Sequence, residues 1–76
     1  MTEVQLDCRG QLCPLPVIAL ARAFPDLAVG DVVAVVADDP AAAADVPAWC
    51  RMKGQEYVGA DVADDGTPRY LVRRIS

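Results

Sequence analysis

Apolar and polar residues alternate near the start of the chain, where Val4, Leu6 and Cys8 interleave with Gln5, Asp7 and Arg9. A period of two puts the first set on one face of a half-buried strand, and Gly10 then lets the backbone turn sharply. Further on, the period lengthens. Val17, Leu20, Ala21 and Phe24 fall at i, i+3, i+4 and i+7, the stripe of a core-packing helix with Arg22 on its other side, and Pro25 should end or kink that helix. Val32 to Ala37 is an unbroken apolar run rich in valine and bounded by aspartates, which predicts an inner strand covered at least partly on both faces.

The middle of the chain carries two start signals. Asp39 before Pro40 reads as an N-cap with proline at the first helical position, leading into the alanines up to Ala44. Asp45 reads as a new N-cap, with Pro47 inside the first turn of a fresh helix that runs through Lys53 and stops at Gly54. Val46, Trp49 and Cys50 form its apolar side. Val58, Ala60 and Val62 then alternate with Tyr57, Gly59 and Asp61, and Asp64-Asp65-Gly66 supplies turn chemistry before a strand pattern resumes from Arg69 to Ile75. These last two strands predict a hairpin. The order βαβαββ predicts an α+β fold, a two-layer sandwich with both helices on one face of a four-stranded mixed sheet, because a strand–helix–strand crossover within one sheet is right-handed.

At 76 residues the chain reads as one domain, residues 1–76, near the lower size for a single core without metals or disulfides. Seven basic against eleven acidic residues, a net charge of −4, argue against direct nucleic-acid binding. With no histidine, imidazole acid–base chemistry is excluded. Three cysteines, an odd number, and no apolar signal stretch after Met1 predict a reducing cytoplasmic setting, and no run is long enough for a membrane span. Three cysteines without histidine or C-x-x-C spacing make a zinc site improbable, and no other metal or cofactor is expected.

The chemistry concentrates at Cys13-Pro14-Leu15-Pro16. A residue before proline is biased away from helical angles, so Cys13 is expected to be the N-cap and Pro14 the first helical residue. Pro14 and Pro16 each remove an N–H from the first turn, leaving the Leu15 N–H to reach the Cys13 sulfur. That donor and the positive helix end predict a thiol pKa lowered from about 8.5 toward neutrality. Cys8 and Cys50 sit on apolar faces and read as packing residues. The acidic group Asp38, Asp39 and Asp45 reads as structural, since two of the three have capping roles. Arg69, Arg73 and Arg74 form a basic cluster that either docks an acidic partner or guards a terminal edge strand against aggregation.

Three stretches, LDCRGQLCPLPV from Leu6, ADDPAAAADVPAWC from Ala37 to Cys50, and the closing RYLVRR, resemble the TusA (SirA-like) family of small sulfur carriers over nearly the whole chain. The resemblance implies the same two-layer fold. It also implies that Cys13 accepts sulfane sulfur as a persulfide from a cysteine desulfurase or rhodanese-type donor and relays it, as a sulfurtransferase-type carrier, to an acceptor protein in tRNA thiolation, molybdenum-cofactor or sulfur-oxidation chemistry. Sulfur-relay members often carry glutamate between the two prolines, where Leu15 stands, and basic residues around positions 21 and 44, where this chain has Ala21 and Ala44. Leu15 and Ile18, beside the thiol, are the expected docking residues, with Arg69, Arg73 and Arg74 as further candidates. Two other readings are open: an interaction or regulatory module in which Cys13 is only a cap, and a thiol redox enzyme with Cys8 or Cys50 as resolving partner.

Overall fold

The computed structural model describes residues 3–76. Its elements run β1 (Glu3–Asp7), α1 (Leu15–Ala23), a 3₁₀ turn at Phe24–Asp26, β2 (Val32–Val36), α2 (Ala42–Lys53), β3 (Glu56–Val62) and β4 (Pro68–Arg73). The four strands form one sheet in the order β1-β2-β4-β3. β1 lies parallel to β2, while β2/β4 and β3/β4 are antiparallel, so the sheet is mixed as the element order predicts.

Alternation assigns the faces. Val33 and Val35 of β2 are paired with Val4 and Leu6 of β1 and with Val72 and Tyr70 of β4, and all of these belong to or pack on the core with Leu20 of α1 and Val46, Trp49 and Cys50 of α2. Both helices therefore cover this face. On the opposite face, Ala34 and Val36 are also buried, consistent with a strand covered on both sides. Their cover is not a third layer. Val36 is paired with Arg69 of β4, whose guanidinium holds Asp61 on β3 and also reaches Glu3 and Gln5 on β1, two strands away on the other side. To meet both edge strands the arginine must lie across the small residues at the sheet centre.

Four expectations are corrected. β4 is an inner strand, paired on both sides, so its arginines do not guard an edge. Ala21 is exposed, whereas Val17, Leu20 and Phe24 of the same expected stripe belong to or pack on the core, and Pro16 is buried in addition. The region from Asp39 to Lys53 contains one helix and not two. Neither Asp45 nor Pro47 starts it: Ala41 is the N-cap, Asp45 lies in the first turn and Pro47 lies inside. A proline there leaves the Ala43 carbonyl without its helical donor, and the burial of Val46, Trp49 and Cys50 outweighs that loss. Asp39 acts just before the helix, where its Oδ1 accepts the Ala41 N–H at 3.0 Å in a lead-in turn. The helix does stop at Gly54, which takes the left-handed conformation (φ 69°, ψ 32°) that glycine adopts most readily.

Candidate functional site

The site follows from the parallel pairing of β1 and β2. Parallel neighbours end on the same edge of a sheet, so the loops after them emerge side by side. The ladder continues one step past β1, where the Cys8 N–H donates to the Val36 carbonyl at 2.8 Å. Gly10, at φ 77°, then turns the chain so that its N–H meets both carboxylate oxygens of Asp38 at 3.1 Å. Three residues later the Cys13 N–H donates to Asp39 Oδ2 at 2.6 Å. Two successive aspartates after β2 thus fasten the loop that carries the cysteine, and the two backbone N–H groups on Asp39, from Ala41 and Cys13, hold its carboxyl below the usual carboxylate range.

Cys13 does not cap α1, which corrects the expected helix start. Pro14 occupies that position with φ −99° and ψ 20°, and the helix begins at Leu15. The Cys13–Pro14 peptide is cis. The Leu15 N–H is already engaged, donating to the Leu12 carbonyl at 2.9 Å, so it is not available to the sulfur. Instead the Cys13 thiol donates to Asp45 Oδ2, with Sγ 2.8 Å from the oxygen. This hydrogen bond to the carboxylate is the main reason that the thiol pKa is raised, with desolvation and the negative charges of Asp45 and Asp39 adding to it. The expected depression toward neutrality is therefore reversed. Cys13 lies one residue outside the helix end and next to an anion, and the anion dominates.

Cys13 is exposed, whereas Cys8 and Cys50 are each 1% exposed, and all three are free thiols. Burial is the first cause of the raised pKa of both buried thiols. Next to Cys13 lies a mainly apolar groove of about 280 Å³ between the helices, lined by Pro14, Val17, Ala48, Trp49 and Met52 together with Cys13 and Asp45. Leu15 and Ile18, the expected docking residues, are 48% and 40% exposed. Among the described residues no group of His, Cys, Asp or Glu has the arrangement of a metal site.

The three arginines do not form a basic cluster. Arg69 is paired with Asp61 and Glu3, and Arg73 with Glu56, on the open face of the sheet. Arg74 turns to the far end of α1, donating to the Phe24 and Leu27 carbonyls with its guanidinium 5.6 Å from the centre of the Phe24 ring. Sequence reasoning missed the roles of Asp45, Trp49 and Met52 at the thiol. No local pattern reveals that Asp45, 32 positions from Cys13, meets its sulfur, because that contact depends on how the helices dock.

Fold and site define a class: a small two-layer α/β domain that presents one exposed thiol at the entrance to its first helix, beside an apolar groove. A family model described as sulfurtransferase TusA matches residues 4–74, and the chain belongs to that family. The sulfur carrier protein TusA of Pseudomonas syringae pv. syringae is 38% identical over 74 residues, covering 97% of this chain and 87% of its own. A protein of Archaeoglobus fulgidus is 39% identical over 69 residues, covering 91% and 90% respectively. The crystal structure of the SirA-like protein from Desulfitobacterium hafniense superposes with a TM-score of 0.81 at 24% identity, over 96% of this chain and 99% of that one, a likeness of fold.

Proposed function

We propose that Cys13 carries sulfane sulfur as a persulfide, taking it from a cysteine desulfurase or rhodanese-type donor and passing it to an acceptor protein. The observation that supports this most directly is that Cys13 is the one exposed thiol among the three cysteines of a chain in a sulfur-carrier family. In loading, the Cys13 thiolate attacks the outer sulfur of the donor's persulfide, so that a new Sγ–S bond forms as the donor's S–S bond breaks and the donor cysteine leaves as a thiolate. Delivery repeats the step in reverse roles: an acceptor thiolate attacks the outer sulfur on Cys13, and Cys13 leaves. No net oxidation occurs and no cofactor is needed.

Docking falls to the surface around the thiol. Met52 on α2 lines the groove, and Leu15 and Ile18 are exposed apolar side chains in the first turn of α1, the helix that follows Cys13, together suited to seat a partner while its cysteine approaches the thiol. The reading in which Cys13 merely caps the helix loses its motive, because Pro14 holds that position. A disulfide-forming role for Cys8 or Cys50 finds no support in two thiols closed off by the core.

The test is to incubate the protein with a cysteine desulfurase and cysteine, then map the mass gain. One sulfur atom on Cys13, absent in Cys13→Ser, is the expected result. A gain on Cys8 or Cys50 instead would overturn the assignment.

A further inference from the structure

The two carboxylates near Cys13 are placed for different work. Asp39 is taken up by backbone donors, the N–H groups of Ala41 and Cys13, and serves to position the loop. Asp38 is likewise engaged, by the Gly10 N–H. Asp45 has no cap to make, since Ala41 holds that position, and its carboxylate oxygen meets the Cys13 sulfur at 2.8 Å. The groove contributes only uncharged side chains besides these two, namely Pro14 and Val17 from the α1 side and Ala48, Trp49 and Met52 from α2. Among the described residues no cation lines it to offset the negative charge of Asp45 or Asp39.

A carboxylate in that position opposes the reaction that the site is built for. Sulfur transfer needs the thiolate, and a neighbouring anion that accepts the S–H proton in a hydrogen bond favours the neutral thiol. We propose that Asp45 is a latch on Cys13, holding it as a weakly nucleophilic hydrogen-bond donor between encounters, and that a lysine or arginine of the partner protein pairs with Asp45 to release it. This rests on the carrier reading above. Once the partner's cation neutralises Asp45, the thiol proton is no longer held. It passes to the departing donor thiolate as Sγ takes the outer sulfur, so that thiol plus persulfide become persulfide plus thiol with charge conserved. After loading, Sγ has no proton to donate, and the carboxylate repels the persulfide anion and directs its outer sulfur away from the protein.

The latch also explains how an exposed thiol can be carried safely. Small oxidants and electrophiles react with thiolate, so a neutral thiol that ionises only against a cationic partner is spared from them. Its partner is thus defined chemically as a protein surface with an apolar seat for the groove and a basic side chain beside its reactive cysteine.

Alkylation by iodoacetamide, followed across pH, separates the latch from a conventional general base. Asp45→Asn keeps the shape and removes the charge. Its thiol is expected to alkylate severalfold faster than wild type at pH 7, with the rate profile displaced to lower pH, and Asp45→Glu, which restores the carboxylate, is expected to return toward the slow rate. Loading by a desulfurase should move the opposite way, slower in Asp45→Asn than in wild type, because the partner's cation has lost its counterpart. An Asp45→Asn thiol that alkylates at the wild-type rate or more slowly overturns the latch, and loading that accelerates in step with alkylation overturns the partner cation. The mass of the loaded wild-type protein is recorded in the same experiment. If Cys13 gains no sulfur the carrier reading fails, while the alkylation profiles still decide whether Asp45 restrains the thiol.

Discussion

At the scale of single residues, ionisation in this protein pulls in two directions, and that sets the pH range in which the fold is most stable. The carboxyls of Asp39, Asp61 and Asp65 are held below their usual range, by the backbone N–H groups of Ala41 and Cys13, by the Arg69 guanidinium and by Thr67 respectively. Each favours the folded state when ionised, so their contribution is present above the ordinary carboxylate pKa of about 4 and is lost as pH falls through the depressed values. The thiols behave oppositely. Cys8 and Cys50 are raised chiefly by burial, and Cys13 by its bond to Asp45. A folded state that holds these protons more tightly is favoured below the unfolded thiol pKa, about 8.5, and loses that advantage as pH rises through the folded values. Denaturant midpoints measured from pH 3 to pH 10 are expected to form a plateau through neutrality that falls on both sides. Cys50→Ala should flatten the alkaline fall, and an alkaline limb identical to wild type would place its cause elsewhere. Of this chemistry, the sequence made Cys13 legible and left its ionisation illegible. The helix-end argument weighed only neighbours in sequence, whereas the deciding group, Asp45, arrives through tertiary structure.

At the scale of elements, the signals that proved sufficient were strand alternation, the apolar strand run and the glycine-bearing stops and turns. The alternation at Val4, Leu6 and Cys8, the valine run of β2, the glycine stop at Gly54 and the Asp64-Asp65-Gly66 turn all correspond to features of the structure, the last closed by the Ala63 N–H to the Thr67 carbonyl at 2.8 Å. The failures share a cause. Asp45 before Pro47 is a strong local start signal, but local signals contribute about 1 kcal/mol each, and one apolar side that places Val46, Trp49 and Cys50 together in the core contributes several times that. Tertiary burial therefore fused two expected helices into one. α1 depends on its packing in the same way. It spans only nine residues, Leu15–Ala23, too few to persist alone in water, and Leu20 is its fully buried anchor. Leu20→Ala is expected to destabilise the protein by about 2–5 kcal/mol, read from chemical denaturation. Because α1 also forms one wall of the groove, the same variant should loosen the setting of Cys13, whereas a loss well under 1 kcal/mol would mean that α1 is not anchored through this residue.

At the scale of the whole molecule, the strand order β1-β2-β4-β3 decides where charge is available, and no local pattern announces that order. Placing β4 inside the sheet spreads its arginines over the open face, where Arg69 joins carboxylates on both edge strands and Arg73 joins Glu56. Arg74 points to the helix side. The three arginines that appear as a basic cluster in the sequence are thus divided between two faces, and two of them are paired with anions. The end of the molecule that carries Cys13 is acidic, with Asp38, Asp39 and Asp45 gathered there. Binding a nucleic-acid backbone at physiological salt requires several phosphate contacts from unpaired basic groups, since each contact releases a counterion and the affinity falls steeply with salt. With a net charge of −4 and Arg69 and Arg73 already paired with carboxylates, the arginines of β4 do not supply such contacts. The expected outcome is that the protein, loaded or unloaded, shows no saturable binding to bare tRNA at 150 mM salt, an ordinary physiological ionic strength, while a basic partner protein shifts it on a sizing column and does so less as salt is raised. Tight tRNA binding under those conditions, surviving the salt titration, would show that recognition runs through a surface other than the acidic end that holds Cys13.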